Sequence, residues 1–196
     1  MCSSDLLWTQ DSPARVLSVS LKPYPCFALA QGPAAAAIAL RERFPADAIE
    51  TLTLGFANCR PVSLRVPEKS NWSPQSREAA DHSLPYLAAV AWIDGRVEIA
   101  QFDKERWRDA DVVDLMNRTR LEIDHDLKMA APGAYTFWLR LTTRDGRTHS
   151  ETHAVCPGHP DNPMSWDEVR KKFDIATEAR LDAAAREKIA SIVDTL

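Results

Sequence analysis

Apolar and polar residues alternate along residues 16–21 and 49–57, and a period of two is typical of β-strands that bury one face. The predicted strands are residues 16–21, 49–57, 119–123, 135–143 and 147–155. The last two flank Asp145 and Gly146, a turn dipeptide, so we expect them to form an antiparallel hairpin. The first strand runs into Pro23 and Pro25, whose rings fix the backbone, and it should therefore deliver a rigid loop.

Two stretches in the first half of the chain predict helices. Alanine-rich residues 33–44 begin with Pro33, which suits the first helical position because its missing N–H costs nothing there. Residues 84–92 are apolar nearly throughout, so they predict a buried helix that stops at the turn around Gly95.

Helix signals continue in the second half. Asp109 is placed to cap a helix that runs to Asn117. Ser165 with Glu168 three residues later forms a capping box, which predicts the start of another helix. A final helix carries an apolar stripe of Leu181, Ala185, Ile189, Ile192 and Leu196.

The order of these elements indicates the fold class. Residues 59–79 contain prolines and polar residues with little periodicity, so they predict a long functional loop. Strands and helices otherwise follow one another irregularly rather than as strict βα repeats. We therefore expect an α+β fold, with an antiparallel or mixed sheet packed with helices.

Composition limits the partners of this domain. The chain of 196 residues has 28 acidic against 24 basic side chains, a formal net charge of -4 and 45% hydrophobic residues. These values suit one soluble domain with a substantial core. No block is basic, which disfavours nucleic acid as a partner. Apolar runs such as residues 87–93 are far shorter than the roughly 18 residues of a membrane span, so we expect no membrane contact.

Cysteine usage favours a reducing compartment. Cys2, Cys26, Cys59 and Cys156 are widely scattered and form no C-x-x-C pair, so we expect reduced thiols in the cytoplasm. The chain opens without a secretory signal pattern.

The first residues carry no helix or strand pattern. Residues 1–6, Met-Cys-Ser-Ser-Asp-Leu, resemble a translated sequencing adapter. We expect residues 1–14 to be a non-native or disordered head before a domain at 15–196, and the natural chain to begin upstream.

One cluster of possible metal ligands lies near the predicted hairpin. It contains His149, His153, Cys156 and His159. His149 and His153 would lie roughly 13 Å apart along one strand, which is too far for a shared metal ion. We therefore expect solvent-facing histidines and no metal.

Lys22, His82 and Tyr86 are the side chains with more chemical promise. An ammonium group at a strand end can bind a carboxylate or stabilise an enolate, although a surface lysine would look the same in sequence. His82 and Tyr86 are four residues apart, so a helix that begins at His82 would present both to one cavity. The alternative is a capping histidine and a buried tyrosine with one satisfied hydroxyl.

Four segments, taken in order, resemble the MmgE/PrpD family, which includes 2-methylcitrate dehydratase and cis-aconitate decarboxylase. They are Lys-Pro-Tyr-Pro-Cys at 22–26, Asn-Trp-Ser-Pro at 71–74, Arg-Glu-Ala-Ala-Asp-His-Ser-Leu-Pro-Tyr at 77–86 and Gly-His-Pro-Asp-Asn-Pro-Met-Ser at 158–165. The resemblance covers only the family's second, α+β domain. It implies that an all-helical N-terminal domain, which supplies much of the active site, is missing here.

The resemblance also implies site residues. By position, Lys22 corresponds to the lysine that the second domain gives to the active site, and Tyr86 to its tyrosine. His82 beside it completes the expected catalytic set, with Gln31 and Ser83 as expected substrate-binding residues. We expect Lys22 and Tyr86 to face one concavity together with the loop around Gln31.

Departures from the family leave the substrate open. Phe27 and Gln31 stand where cis-aconitate decarboxylases carry histidines, which weakens a decarboxylase assignment. Ala30 and Gln31 are closer to the Ala-Gln of 2-methylcitrate dehydratases, although the histidine that precedes it there is Leu29 here.

The expected function is a cofactor-independent lyase of the dehydratase type, acting on a small polycarboxylate such as 2-methylcitrate. Such a reaction needs abstraction of a proton next to a carboxylate, stabilisation of an enediolate and an acid for the leaving hydroxyl. Lys22 suits the second task and Tyr86 the third. An isomerase, epimerase or decarboxylase on the same scaffold and a non-catalytic interaction module are the alternatives. The resemblance further implies a homodimer for the full-length enzyme and no activity for this chain alone.

Overall fold

A four-stranded mixed sheet organises the chain, in a computed structural model that describes residues 18–195. Its strands are β1 (Ile49–Ala57), β2 (Thr119–Asp124), β3 (Phe137–Thr143) and β4 (Thr148–His153). They lie in the order β2-β1-β3-β4. β1 pairs with β2 in parallel and with β3 antiparallel, and β3 and β4 form the predicted hairpin. The structure confirms the predicted α+β class.

Eight α-helices lie within residues 18–195. They are α1 (Gln31–Leu40), α2 (Arg60–Arg65), α3 (Arg77–Ala80), α4 (Leu84–Asp94), α5 (Ile99–Asp103), α6 (Ala110–Asn117), α7 (Trp166–Thr177) and α8 (Ala183–Val193). No helix within residues 18–195 is long and apolar enough to cross a membrane.

The core lies between one face of the sheet and the helices. Leu54 of β1 pairs with Leu121 of β2 and with Leu139 of β3, so leucines line up across the sheet on its buried face. α4 packs against both α1 and α6 and is buried along most of its length. The alternation in β1 and the uninterrupted apolar run in α4 are therefore two signatures of the same core.

Local signals define α4 closely. The Ser83 hydroxyl accepts a hydrogen bond from the Tyr86 N–H at 3.2 Å, which caps the first turn. Gly95 adopts a left-handed conformation, with φ of 69°, and ends the helix as the sequence predicts. The capping box of Ser165 and Glu168 at the start of α7 is also confirmed.

The predicted strand at residues 16–21 is wrong for its described part. Residues 18–21 form no strand, and Leu21 instead donates a loop hydrogen bond from its N–H to the Gly158 carbonyl at 2.8 Å. Residues 16 and 17, and the head predicted at residues 1–14, lie outside the described residues.

The long loop predicted at residues 59–79 is also wrong, because α2, the beginning of α3 and a 3-10 turn at Lys69–Trp72 occupy much of it. Pro61 lies in the first turn of α2, where its fixed φ favours helix. The Ser76 hydroxyl accepts the Ala79 N–H at 3.2 Å and caps α3. Helices this short bury too few apolar residues to leave a periodic pattern.

Three helix details differ from the sequence pattern. α1 begins at Gln31, so Pro33 is its third residue, and it ends at Leu40 rather than residue 44. Asp109 precedes α6 but makes no side-chain cap, because its carboxylate pairs with Arg106 at 2.6 Å.

The predicted apolar stripe of the last helix is not a core face. Leu181 precedes α8 and Leu196 lies outside the described residues. Ile189 and Ile192 are exposed, and Ala190 is the buried residue of α8.

Candidate functional site

A concavity of about 370 Å³ opens beside the carboxyl end of β1. It is lined by Phe27, Ala28, Leu29, Arg60, Pro61, Leu64, Arg65, His82 and Tyr135. Three of these side chains can carry positive charge and most of the others are apolar. The concavity therefore presents both a cationic and an apolar wall to a ligand.

α2 supplies the cationic wall. Cys59 is extended, and the chain turns directly from β1 into the helix, so Arg60 stands at its first position. Val62 and Val66 are buried on the side that faces the core. Arg60 and Leu64 are four residues apart and thus share a face of the helix.

Tyr135 also lines the concavity and has a rare backbone conformation. Its φ is 48°, which only a few non-glycine residues adopt. The segment is held on both sides, because the Thr136 hydroxyl donates to the Ala154 carbonyl at 2.7 Å and accepts the Ala130 N–H at 2.9 Å. Surrounding hydrogen bonds thus maintain a conformation that is unfavourable in isolation.

Gln31 holds the loop that contains Lys22. Its side chain is almost completely buried, and its amide oxygen accepts the Tyr24 N–H at 3.0 Å. Its amide nitrogen donates to the carbonyls of Tyr24 at 3.1 Å and Cys26 at 3.0 Å. The Gln31 amide therefore holds the backbone of the loop at Tyr24 and Cys26 through hydrogen bonds.

The segment 158–165 supports the same loop from the other side. Gly158 has a φ of 85°, and a Cβ atom there would lie 1.9 Å from the Leu21 carbonyl oxygen. The Lys172 ammonium group of α7 donates to the Lys22 carbonyl. Two segments that are distant in sequence therefore meet at the residue that precedes Lys22 and at Lys22 itself.

His159 fixes the turn that carries Gly158. The Asp161 N–H donates to His159 Nδ1 at 3.1 Å, so Nδ1 is an acceptor and the ring proton lies on Nε2. Nε2 in turn donates to the Pro132 carbonyl at 3.2 Å. The buried His159 ring thus ties this turn to the chain before β3 through both of its nitrogens.

His82 lines the concavity with one free ring nitrogen. Its Nδ1 contacts the Glu78 carbonyl at 3.1 Å and the Asp81 carboxylate. Both oxygens accept hydrogen bonds, so Nδ1 carries a proton. Within residues 18–195, Nε2 has no hydrogen-bond partner. The ring packs on Phe27, with 5.2 Å between the centroids.

Tyr86 lies in the core. Its side chain has 0% exposure, and its hydroxyl donates to the Gln101 carbonyl at 2.9 Å. The rings of Phe102 and Trp107 contact it edge-on at 6.0 Å. Burial raises the pKa of the Tyr86 phenol. α4 begins at Leu84, two residues after His82, so these two side chains are not presented to one cavity.

Among the described residues, the lining of the concavity does not include Lys22, Gln31, Ser83 or Tyr86. Ser83 is buried and donates its hydroxyl to the Asn71 carbonyl, which joins the segments 71–74 and 77–86. Lys22 is exposed. Burial raises the pKa of the Cys26 thiol to about 12, and the nearby Lys22 charge acts in the opposite direction, lowering that pKa. The structure therefore brings His82 to the concavity and places Gln31 and Ser83 in its supporting framework. Tyr86 lies away from it, in the core.

The histidines of the hairpin contact one carboxylate. His149 and His153 approach different oxygens of Glu151, at 3.1 and 2.8 Å. Both are half-buried rather than solvent-facing. Among residues 18–195, no group of three or more histidine, cysteine or acidic side chains could hold a metal ion.

Sequence reasoning missed Arg60 and Arg65. The available signal was the Arg-Pro pair at 60 and 61 with apolar residues at 62 and 66, which is a short amphipathic helix that opens on a proline. Arg65 pairs with Glu68 at 3.3 Å. Arg60 has no ion-pair or hydrogen-bond partner in the described part of the chain.

The α+β fold and its motifs define the chain as a domain of a lyase-type enzyme family. Residues 24–196 match the family model of the MmgE/PrpD C-terminal domain. The chain belongs to the MmgE/PrpD family, and the resemblance seen in the sequence is confirmed.

Two curated relatives are cis-aconitate decarboxylases. The protein from Mus musculus is 26% identical over 186 residues, which are 91% of this chain and 36% of that relative. The protein from Homo sapiens is 24% identical over 159 residues, which are 81% of this chain and 31% of that relative. The chain thus spans about a third of the length of the curated relatives that it matches.

Proposed function

We propose that this domain forms one half of the active site of a lyase that acts on a small polycarboxylate. The observation that carries the proposal is the convergence of family motifs: the segments 77–86 and 158–165 are each hydrogen-bonded to the chain that flanks 22–26, through Asp81 to Phe27 and through Gly158 to Leu21. Phe27 and His82 of these segments line a concavity with a cationic wall. Groups on a helical N-terminal domain supply the other half.

The reaction that we favour is dehydration, with 2-methylcitrate as the substrate. A base removes the proton next to a carboxylate, the electron pair forms the alkene, and the hydroxyl leaves as water after it is protonated. Lys22 stabilises the negative charge that develops on the carboxylate. His82 exchanges protons through its free Nε2, while Asp81 and the Glu78 carbonyl orient the ring.

The resemblance assigns Tyr86 to the same site as an acid. In this chain its hydroxyl is donated to the Gln101 carbonyl, so an acid role requires that this bond is exchanged for one to the substrate. Gln31 and Ser83 act on the substrate through the backbone segments that they hold.

Decarboxylation of cis-aconitate is the second candidate. The names of the two mammalian relatives favour it, and Phe27 disfavours it because an apolar ring stands where decarboxylases carry a histidine. Phe27 packs on His82, so it also reduces the polarity of that wall. An isomerase or epimerase would use the same proton abstraction and return the proton to carbon. A non-catalytic interaction module is the alternative outside enzymes.

The same proposal covers the compartment and assembly. The thiols of Cys26, Cys59 and Cys156 are free, which supports a reducing compartment such as the cytoplasm. A homodimer of the full-length enzyme is implied by the family resemblance.

A chimera tests the reaction. This chain replaces the matching third of the Mus musculus relative, and the purified chimera is given 2-methylcitrate, citrate or cis-aconitate. We expect the ultraviolet absorbance of an alkene to grow with 2-methylcitrate. Release of carbon dioxide from cis-aconitate, with no alkene formed from 2-methylcitrate, would favour the decarboxylase instead. Exchange of the substrate's α-hydrogen with solvent, without net elimination, would favour the isomerase.

The purified chain alone is the control. We expect no turnover from it, because removal of groups that act as a unit abolishes most of a rate enhancement. Turnover near about one per second, as in ordinary enzymes, would contradict the half-site proposal.

A further inference from the structure

Arg60 is a cationic residue in the lining of the concavity, and its guanidinium group has no partner among the described residues. Arg65, one turn later on α2, is already paired with Glu68 at 3.3 Å. Among residues 18–195, the Arg60 side chain makes no ion pair or hydrogen bond, and Arg60 lines the concavity. A guanidinium group binds carboxylates through two parallel N–H donors, which makes a free arginine at such a position suited to an anionic ligand.

The short helix that carries Arg60 is well anchored. Val62 is buried on its inner face, and the Asn71 side chain donates to the Arg65 carbonyl at 2.7 Å at its end. Pro61 fixes the backbone of the first turn. The helix therefore presents Arg60 from a pre-organised backbone, which reduces the entropy lost on binding.

An apolar wall lies beside this cation. Leu64 is one turn from Arg60 on the same face of α2, and its side chain is 66% exposed. Phe27 and Pro61 extend the apolar surface. Hydrocarbon that contacts these side chains would leave water together with them, which is favourable. The two walls together match a ligand that has a carboxylate and an alkyl group close to each other.

We propose that Arg60 is the carboxylate anchor of this concavity and that Leu64 and Phe27 select polycarboxylates that carry an alkyl branch. The identity of the reaction rests on the proposed function, but the binding preference does not. Arg60 is a positioning and specificity residue here, since it holds the carboxylate remote from the carbon that reacts.

Binding to the purified chain of 196 residues tests the proposal. Citrate and 2-methylcitrate are titrated into the isotope-labelled chain, and nuclear magnetic resonance shifts give the site and the dissociation constant. We expect shifts at residues 27–29, 60–65, 82 and 135. A buried methyl group should make 2-methylcitrate bind about fourfold more tightly than citrate.

Three matched variants isolate the role of Arg60. Arg60→Gln should weaken binding of both ligands by about tenfold, because it removes a charge-assisted contact. Arg65→Gln should weaken it by less, since Arg65 is paired. Arg147→Gln removes the same charge from the hairpin turn, where the side chain is 72% exposed, and should change nothing. Unchanged binding by Arg60→Gln, or an equal loss in Arg147→Gln, would overturn the anchor assignment.

Leu64→Ala tests the apolar wall. Leu64 is exposed, so its loss should leave the fold intact, and we expect the preference for 2-methylcitrate over citrate to disappear. A preference that survives would overturn the selectivity part. Failure of the lyase proposal would look different, because the chimera would not turn over although the ligands still bound in an Arg60-dependent way.

Discussion

At the scale of single residues, buried polar side chains decide where the loop with Lys22 lies. Gln31 makes bonds to Tyr24 and Cys26 with both ends of its amide while it is 4% exposed. If this buried amide were removed, the backbone groups that it bonds would lose their hydrogen-bond partners. The loop and the first turn of α1 therefore depend on one side chain.

Replacement of this amide should be costly. We expect Gln31→Ala to lower the free energy of unfolding by about 2–4 kcal/mol, because several buried hydrogen bonds are lost together. Urea denaturation measures the change. Gln75→Ala, at an exposed glutamine that bonds within its own turn, is the matched control and should cost little. Equal losses in the two variants would show that the Gln31 bonds contribute nothing special.

Tyr86 allows a structural and a catalytic role to be separated. We expect Tyr86→Phe to lower stability by about 1 kcal/mol, through loss of the hydrogen bond to Gln101, and to lower Tm by about 3 °C. Because the side chain does not line the concavity, kcat of the chimera should stay unchanged. A large loss of kcat with normal stability would support the acid role that the resemblance assigns to Tyr86.

For Lys22 we expect a substitution to change kcat and not stability, the reverse of Tyr86. Its side chain is exposed beside the concavity's framework, so Lys22→Ala should leave the stability of the chain nearly unchanged. In the chimera it should lower kcat by at least about tenfold if its charge acts on the transition state. Steady-state kinetics decide this, with Lys171→Ala as a control at an exposed lysine of α7. An unaffected kcat would make Lys22 an ordinary surface lysine.

At the scale of elements, the close approach of two loops constrains Gly158. A Cβ atom at this position would collide with the Leu21 carbonyl oxygen, whereas nothing lies within 4 Å of a Cβ atom at Gly146. The two glycines have nearly the same positive φ, of 85° and 84°. They therefore differ in contact and not in backbone preference.

This pair permits a clean comparison. We expect Gly158→Ala to lower the free energy of unfolding by at least about 2 kcal/mol more than Gly146→Ala, since the alanine at position 158 must push the Lys22 loop away. Chemical denaturation of both variants measures the difference. Equal effects would mean that the loops separate without cost.

Elements with long periodic patterns were predictable from sequence, and short ones were not. The β1 bounds at residues 49–57 and the stop of α4 at Gly95 follow from alternation and from a glycine in the left-handed region. The helix α2 was not predicted, because its six residues make fewer than two turns and leave no periodic pattern. Arg60 was missed with it, since a lone arginine in an expected loop carries no spatial information. The placement of Tyr86 in the core depends on Gln101 and Trp107, which are remote in sequence.

At the scale of the whole molecule, apolar side chains on the outer helices form a second groove. It lies between α7 and α8, has a volume of about 170 Å³ and is lined largely by apolar side chains that include Trp166, Phe173 and Ile189. Ile192 of α8 is 55% exposed. Exposed apolar patches of this kind promote association.

We therefore expect the purified chain to self-associate at high concentration. Sedimentation velocity over a range of concentrations measures this, and Ile192→Glu should shift the equilibrium toward the monomer. Leu64→Glu places the same charge at an exposed apolar residue elsewhere, on α2, and should have little effect. Association that is equally weakened by both variants would point to charge in general rather than to the helices α7 and α8.

The parallel pairing of β1 with β2 affects how the chain folds while it is synthesised. The chain must pass through all of residues 58–118 before the second member of that pair exists, and β3 follows later still. During synthesis, both hydrogen-bonding edges of β1 thus remain open while five helices emerge. An unpaired edge of alternating apolar residues is a template for misassembly. Chaperones should accordingly stay bound to this nascent chain for longer than to a chain whose central strand begins a simple hairpin.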